Sequence, residues 1–248
     1  MENKRKVVLI TGGSRGLGAK CAIEFAKRNY DIVINYKENE TCALALKEML
    51  EKEYNINVLC IKSDISNEED VKLMIKEIIK YFHHIDVLVN NAGISMDNNF
   101  TMKDSEEFKE VLNTNLVGTF LVSKYVAKEM LDGKKGTIIN ISSNNAIGAN
   151  YEESMDYDAS KAGIISLTHN FALALKPYVR VNCVCPGWMD TDMNKDIDET
   201  FRKAEESKIY LGRFADPAEV AKVVSFLASS DASYINNSII KVDGGTNG

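Results

Sequence analysis

Short apolar runs alternate with longer amphipathic stretches along the whole chain. Several of the runs are continuously apolar and rich in valine and isoleucine, which is typical of strands buried on both faces of a parallel sheet. They predict seven strands, at Val7–Ile10, Ile32–Asn35, Val58–Ile61, Val87–Val89, Thr137–Ile141, Val179–Val184 and Ile239–Val242. The stretches between them have helical spacing and predict helices at Ala19–Arg28, Cys42–Lys52, Glu68–Phe82, Glu106–Met130, Tyr157–Leu175 and Pro217–Ala228. Ser66 and Asp216 are the expected N-caps of two of these helices.

Strand followed by helix, repeated along the chain, predicts an α/β fold. We expect a single-domain Rossmann fold over residues 1–248, with helices on both faces of a doubly wound parallel sheet of about seven strands. One segment departs from this rhythm. Residues 189–211 are polar and helix-prone and lie between a strand and the last long helix, so they are a candidate lid over a substrate site.

Composition and charge limit the binding partners and the cellular location that can be expected for this protein. The net charge is -6, and lysine and arginine are spread along the chain, which argues against nucleic acid as a partner. The charged start Met1–Lys6 leads into an apolar run that is too short for a signal peptide or a membrane span, so we expect a cytoplasmic protein without a membrane partner. Cys183 and Cys185 lack a second pair or a nearby histidine, which favours core packing over a metal site.

A glycine-rich loop directly follows the first predicted strand and precedes a helix. Its sequence is Thr11-Gly-Gly-Ser-Arg-Gly-Leu-Gly18. Glycines let a phosphate approach the backbone, and the helix amino terminus offers free N–H groups and partial positive charge. The loop therefore predicts a pyrophosphate cradle, although a tight strand-to-helix turn would need similar residues.

Tyr157 and Lys161 are four residues apart in a predicted helix, so their side chains project from one face. A neighbouring ammonium favours the phenolate and is expected to lower the tyrosine pKa, which makes the phenol a usable acid or base. Hydride transfer puts negative charge on a substrate oxygen and requires hydrogen-bond and proton donors at that atom. The pair thus indicates carbonyl and alcohol interconversion.

Taken together, the motifs resemble those of the short-chain dehydrogenase/reductase family over nearly the whole chain. The matching elements, in order, are the T-G-x-x-x-G-x-G loop, Asn90-Asn-Ala-Gly93, Asn115, Ser143, Tyr157-x-x-x-Lys161, Pro186-Gly187 with Thr191, and Asp243-Gly-Gly245. The resemblance implies that Ser143, the second serine of a pair, is catalytic together with Tyr157, Lys161 and Asn115. It assigns Lys161 to the nicotinamide ribose, Asn115 to a water in a proton relay, and Ser142 to a backbone-bonding role.

The same resemblance implies a set of cofactor contacts. These are Gly12, Ser14, Arg15, Gly16, Leu17, Gly18, Asn35, Tyr36, Lys37, Asp64, Ile65, Asn91, Ala92, Gly93, Tyr157, Lys161, Pro186, Gly187 and Thr191. The resemblance also implies which part of the cofactor some residues contact. Asp64 is expected at the adenine edge, Asn90 and Gly93 on the adenosine side, and Thr191 at the nicotinamide carboxamide.

The end of the second strand bears on the choice between NAD(H) and NADP(H). It reads Asn35-Tyr36-Lys37 and lacks the carboxylate that would bind free ribose hydroxyls and repel a 2′-phosphate. Arg15, Lys37 and Ser14 can meet such a phosphate with charge-assisted hydrogen bonds, which favours NADP(H). The alternative is that both cations are solvated, with Glu38 opposing a phosphate.

Within the family, the run Val181–Gly187 and the pattern around Gly212–Ala221 are similar to reductases of 3-oxoacyl thioesters. This implies a carrier-bound carbonyl substrate and acyl carrier protein as a candidate partner. The chain departs from that pattern at Ser95-Met-Asp97, in a loop with Glu152, Glu153 and Asp156, and in the short turn Lys176–Tyr178. Carboxylates at the mouth would oppose an acidic carrier.

Two other functions stay open. One is oxidation or reduction of a small free ketone, sugar or polyol; the other is a non-catalytic dinucleotide-binding redox sensor. The resemblance also implies a homotetramer that pairs through the helices at Glu106–Met130 and Tyr157–Leu175 and through the last strand and helix.

Overall fold

The computed structural model describes residues 5–149, 151–191, 194 and 197–246, which form one α/β domain. Its strands are β1 (Val7–Ile10), β2 (Asp31–Tyr36), β3 (Val58–Lys62), β4 (Val87–Asn90), β5 (Gly136–Ile141), β6 (Val179–Pro186) and β7 (Ile239–Val242). Its helices are α1 (Gly16–Lys27), α2 (Glu40–Tyr54), α3 (Glu68–Phe82), α4 (Ser105–Leu112), α5 (Gly118–Asp132), α6 (Met155–Ala174), α7 (Glu199–Lys208) and α8 (Pro217–Ala228).

The seven strands form one parallel sheet in the order β3-β2-β1-β4-β5-β6-β7. Val8 pairs with Ile32 on one side and with Val87 on the other, so the strand order reverses direction at β1 and β4. At such a switch point the connections leave in opposite directions and open a crevice beyond the carboxyl ends of the strands. The Rossmann architecture predicted from the sequence is confirmed.

The sheet is covered on both faces because its side chains alternate between two cores. Val8 and Ile10 pack with α1, α2 and α8, whereas Val7 and Leu9 pack with α3 and α5. Every residue of β1, β2, β4 and β5 is buried, which explains why these strands are largely apolar.

Two helix details differ from the sequence-based expectation, and a third agrees with it. The helix expected at Glu106–Met130 is divided into α4 and α5 by a π-helical segment, Asn113–Val117. The N-cap of α3 is Asn67, whose side chain accepts from two backbone N–H groups, and Ser66 instead donates to Asp64, so the Ser66 cap was wrong. The Asp216 cap of α8 is confirmed and forms a reciprocal capping box with Glu219.

The candidate lid segment contains its own helix. Helix α7 begins after Asp198, whose carboxylate accepts hydrogen bonds from the N–H groups of Thr200 and Phe201. In the parts of the chain that the structure describes, every helix is too short or too polar to cross a lipid bilayer. The same parts contain no group of three His, Cys, Asp or Glu side chains arranged to hold a metal ion. Cys183 and Cys185 pack in the core, with their sulfur atoms 4.0 Å apart.

Candidate active site

A cavity of about 920 Å³ opens at the carboxyl ends of the central strands. It brings together most of the residues that the sequence assigned to cofactor and substrate. These are Gly12, Ser14, Arg15, Gly16, Leu17, Asn35, Tyr36, Lys37, Asp64, Ile65, Asn91, Ala92, Gly93, Ser143, Tyr157, Lys161, Pro186, Gly187 and Thr191. Gly18 and Asn115 lie behind the lining residues.

The glycine loop turns sharply because two of its residues have positive φ, Gly12 at 59° and Gly16 at 53°. A side chain at Gly12 would also lie 2.9 Å from the Cα of Ala92. Asn35 holds the loop from below: its carbonyl accepts from Gly13 N at 2.9 Å, and its side-chain oxygen accepts from Gly12 N at 3.3 Å. The open start of α1 therefore faces the cavity, and Asn35 supports the loop.

Gly18 is a packing residue, since a Cβ there would overlap the Gly12 carbonyl and lie 2.7 Å from Asn91 Nδ2. We expect Gly18→Ala to lower the free energy of unfolding by about 1–3 kcal/mol and to weaken dinucleotide binding, because the loop must shift. Chemical denaturation and a dinucleotide titration check this. Gly133→Ala is the control, since a Cβ there has ordinary contacts only. Equal effects of the two variants would contradict the packing role.

The loop after β4 is fastened to the glycine loop. Asn91 Nδ2 donates to the carbonyls of Thr11 and Gly12 at 3.0 and 3.1 Å, and Thr11 Oγ1 accepts from the N–H groups of Asn91 and Ala92. The sequence suggested that Asn90 lies on the adenosine side of the cavity, but the structure places its side chain elsewhere. Its amide points into the core and donates to Ser123 Oγ and Asn140 Oδ1, both at 2.8 Å, because β4 side chains alternate between faces.

At the end of β2, Lys37 forms an ion pair with Asp64, with 2.8 Å between Nζ and Oδ2. Burial alone would raise the pKa of Asp64, but hydrogen bonds from Lys37 and Ser66 hold it below its usual value. The sequence placed Lys37 on a 2′-phosphate and Asp64 on adenine, whereas in the structure the two side chains engage each other. Arg15 lines the same end of the cavity and is exposed.

Ser143, Tyr157 and Lys161 meet at one wall of the cavity. Ser143 follows β5 and caps a short 3-10 turn by accepting from Asn145 N. Tyr157 lies in the first turn of α6, and Lys161 one turn later places Nζ 5.4 Å from the centre of the Tyr157 ring. Lys161 Nζ donates to the Ile141 carbonyl at 3.0 Å. Ser142 Oγ donates to the Lys161 carbonyl at 2.7 Å, so its expected backbone-bonding role is confirmed.

The electrostatics of this wall differ from the sequence-based expectation. Burial raises the pKa of Tyr157 to about 12, against a hydrogen bond with Ser143 that lowers it, and Asp158 and Asp97 raise it further. Burial also lowers the pKa of Lys161 to about 8. The expected lowering of the tyrosine pKa was wrong, because desolvation of the phenol outweighs the effect of its neighbours.

Asn115 is fully buried in the π-helical segment between α4 and α5. Its side-chain oxygen accepts from Ile94 N at 2.8 Å, and its Nδ2 donates to the Ile94 carbonyl and to Ser160 Oγ at 2.9 and 3.0 Å. Asn115 thus joins the loop after β4 to α6 beside Lys161. A π-helical turn is often found at a functional site, and here it turns the amide toward this junction.

The substrate end of the cavity is lined by aromatic residues that the sequence did not single out. Trp188 and Tyr151 face Phe201 of helix α7, so the candidate lid segment supplies part of the wall. Tyr151 donates to Glu205 at 2.6 Å, and the Trp188 indole N–H lies 3.0 Å from Tyr151 Oη and 3.2 Å from Glu205. One feature of the sequence could have indicated this aromatic wall: Trp188, the one tryptophan of the chain, directly follows Pro186-Gly187.

The acidic residues expected at the mouth separate into two groups. Asp97 and Glu153 line the cavity and are exposed. Asp156 is buried and forms an ion pair of 2.7 Å with the buried Lys103, which also donates to the Met96 carbonyl. Asp156 therefore fastens the loop after β4 to α6, and its placement at the mouth was wrong because a buried cation compensates it.

A Rossmann sheet with a glycine-turn cradle and a tyrosine–lysine wall defines a nicotinamide dinucleotide-dependent oxidoreductase. Residues 12–247 match a family model described as "Enoyl-(Acyl carrier protein) reductase". Relatives include 3-oxoacyl-[acyl-carrier-protein] reductase FabG of Staphylococcus aureus, 36% identical over 97% of each chain, and that of Aquifex aeolicus, 37% identical over 97% of this chain and 96% of the relative. The chain belongs to the short-chain dehydrogenase/reductase family.

Solved structures agree with this assignment. A mutant short-chain dehydrogenase/reductase from Serratia marcescens superposes with a TM-score of 0.91 at 30% identity, over 97% of both chains. A dehydrogenase/reductase from Sinorhizobium meliloti gives a TM-score of 0.93, also at 30% identity, over 98% of this chain and 95% of the other. The similarity therefore extends over the full domain, including the helices that surround the cavity.

Proposed function

We propose that this protein is an NADP(H)-dependent oxidoreductase that interconverts a ketone and a secondary alcohol, with Ser143, Tyr157, Lys161 and Asn115 as its catalytic residues. The observation that carries the proposal is the convergence of the first three on one cavity wall, where Nζ of the buried Lys161 lies 5.4 Å from the centre of the Tyr157 ring. A redox sensor without turnover would not need a buried lysine beside a half-buried phenol, since both groups carry a desolvation cost.

The bound nicotinamide supplies or accepts the hydride at the substrate carbon. Ser143 donates a hydrogen bond to the substrate oxygen, and Tyr157 transfers a proton to it as negative charge develops. With a pKa of about 12, Tyr157 is protonated at neutral pH and ready to act as an acid in reduction. The Lys161 ammonium stabilises the phenolate that remains, and Asn115 holds the junction through which a proton returns.

The lining residues fit a dinucleotide. Gly16 has open space where a Cβ would lie, with only Thr191 at 3.9 Å, so phosphate oxygens can approach the start of α1. Ser14 and Arg15 lie beside this loop, and the end of β2 presents no carboxylate at Tyr36 or Lys37. We therefore favour NADP(H), with Arg15 as the main cation for the 2′-phosphate because Lys37 is paired with Asp64.

We expect Arg15→Ala to raise the KM for NADPH roughly tenfold, equivalent to one charge-assisted hydrogen bond, and to leave the KM for NADH nearly unchanged. Lys37→Ala should have a smaller effect because its charge is already compensated. Steady-state kinetics with both cofactors measure this difference. An equal loss with NADH and NADPH would contradict the 2′-phosphate role of Arg15.

The first substrate class to test is a 3-oxoacyl thioester, because the relatives named above are 3-oxoacyl-[acyl-carrier-protein] reductases. The test follows NADPH and NADH oxidation with an acetoacetyl group on acyl carrier protein or on coenzyme A. Rapid NADPH-selective turnover of the carrier-bound form supports this substrate and partner. Cofactor binding without thioester turnover directs the search to free ketones, sugars and polyols.

The second class, a small free carbonyl compound, is favoured by the charge of the cavity mouth. Asp97, Glu153 and Asp198 line the substrate end, and among the described lining residues Lys161 is the one cation near it. An acidic carrier or a phosphorylated carrier arm would meet repulsion there.

We also propose a homotetramer. Helices α5 and α6 leave apolar side chains exposed, among them Phe120 at 41% and Leu173 at 64%, and Phe226 of α8 is 39% exposed. These faces adjoin the catalytic residues of α6, so assembly would buttress the site. Light scattering after size-exclusion chromatography measures the oligomeric state, and a monomer at micromolar concentration would exclude it.

A further inference from the structure

Three aromatic rings form a recess at the substrate end of the cavity. The Trp188 ring lies 5.8 Å from Tyr151 and 5.8 Å from Phe201, measured between centroids, with interplanar angles of 77° and 84°. All three side chains line the cavity. Tyr151 and Phe201 therefore each pack edge-to-face with Trp188, and we call these three residues the aromatic recess.

Packing and hydrogen bonds hold the rings of the recess in place. Trp188 stacks on the buried Phe214 at 5.4 Å and 12°, and the Arg202 guanidinium lies 4.5 Å from the Phe214 ring. The polar atoms of Trp188 and Tyr151 are engaged with Glu205, which is 3% exposed. The rings thus present π faces and edges to the cavity, while their hydrogen-bonding groups are already satisfied.

The ionised groups around the recess carry a net negative charge. Lys208 is paired with Glu205 at 2.6 Å, and Arg202 is paired with both Asp190 and Glu206, so each of these cations is already neutralised by a carboxylate. Glu205 lies behind the rings, and Asp97, Glu153 and Asp198 line the same end of the cavity. Among the lining residues that the structure describes, the cations are Arg15 and Lys37, which belong to the nucleotide end, and Lys161, which faces Tyr157. Negative potential and electron-rich ring faces both attract a cation and repel an anion.

We propose, on the basis of the carbonyl reduction proposed above, that the aromatic recess binds an alkylammonium group, so that the substrate is a free ketone or secondary alcohol carrying a positive charge. A quaternary ammonium suits the recess better than a primary ammonium, because it is bulky, weakly hydrated and has no N–H that needs a hydrogen-bond acceptor. A neutral apolar group would gain the ring contacts but not the electrostatic attraction. A carboxylate or phosphate would be repelled.

The experiment compares three methyl ketones that differ only at the far end of a three-carbon chain. One carries a trimethylammonium group, one its uncharged tert-butyl isostere, and one a carboxylate. We expect kcat/KM with NADPH to be roughly tenfold higher for the cation than for the tert-butyl ketone, and lowest for the carboxylate. Trp188→Leu should reduce the preference for the cation to about twofold or less. A preference for the tert-butyl ketone, or no preference, would overturn the proposal.

A second readout separates this proposal from the proposed function. Trp188 is the single tryptophan in the chain, so intrinsic fluorescence reports occupancy of the recess without turnover. In the Tyr157→Phe variant with NADPH bound, the cationic ketone should change the fluorescence at roughly tenfold lower concentration than its tert-butyl isostere. If the wild type turns over no ketone or thioester but this binding difference is observed, the proposed reaction is wrong and the proposal that the recess binds an alkylammonium group is supported. If acetoacetyl thioesters are turned over but the two ketones bind equally, the proposed reaction stands and the proposal of a cation-binding recess fails.

Discussion

Replacing Tyr157 by phenylalanine is expected to lower kcat for ketone reduction about 10³-fold, the range attributed to a general acid. The phenol lines the same cavity wall as the Ser143 hydroxyl, and its pKa of about 12 keeps it protonated at neutral pH. The ring itself remains in the Tyr157→Phe variant, so the cavity keeps its shape. Because the glycine loop and Lys161 are unchanged, the Kd for NADPH should stay within about twofold.

A binding measurement and a control variant make this prediction specific. NADPH binding, followed by titration calorimetry, shows whether the variant still holds the cofactor when turnover is lost. Tyr125→Phe is the matched control, since it removes a phenol that bonds with Glu68 on the outside of α5, remote from the cavity. Turnover of Tyr157→Phe near the wild-type rate would show that another group donates the proton.

The fold was predictable because the information that specifies it is local and periodic. Each central strand is buried on both faces, so its sequence is largely apolar, and the glycines of the cradle are required by backbone geometry that few other residues adopt. The Tyr157 and Lys161 side chains were also placed correctly on one wall, since a four-residue spacing in a helix fixes their relation.

Two ion pairs of the site could not be predicted because their partners are distant in sequence. Lys37 and Asp64 were assigned separately to the cofactor, yet β2 and β3 are neighbours in the sheet and bring them within 2.8 Å. Asp156 was counted as an exposed carboxylate, but Lys103, from the loop before α4, neutralises it in the interior. Neither pairing leaves a periodic signal. The aromatic recess was missed for the same reason, since its rings come from three separate segments.

Replacing Lys161 by methionine is expected to separate activity from stability. Loss of the ammonium removes the charge that stabilises the Tyr157 phenolate, so kcat should fall about 10²- to 10³-fold. The fold should gain, because Lys161 is 3% exposed and burial holds its pKa at about 8 instead of 10.5. That difference corresponds to about 3 kcal/mol of destabilisation, of which roughly 1 kcal/mol is offset by the hydrogen bond to Ile141. The net gain expected in Lys161→Met is therefore about 2 kcal/mol.

The sign of the pH dependence provides the test of this reasoning. Below pH 8 Lys161 is charged in both the folded and the unfolded protein, and the full desolvation cost is present. Between pH 8 and about 10.5 the unfolded chain holds more protons, so the free energy of unfolding of the wild type rises relative to Lys161→Met. Urea denaturation at pH 7 and pH 9.5 should show the advantage of the variant shrinking, and the wild-type reduction rate should fall as pH passes about 8. A stability difference that is constant with pH would mean that Lys161 is not desolvated, and its electrostatic role in catalysis would then lose its physical basis.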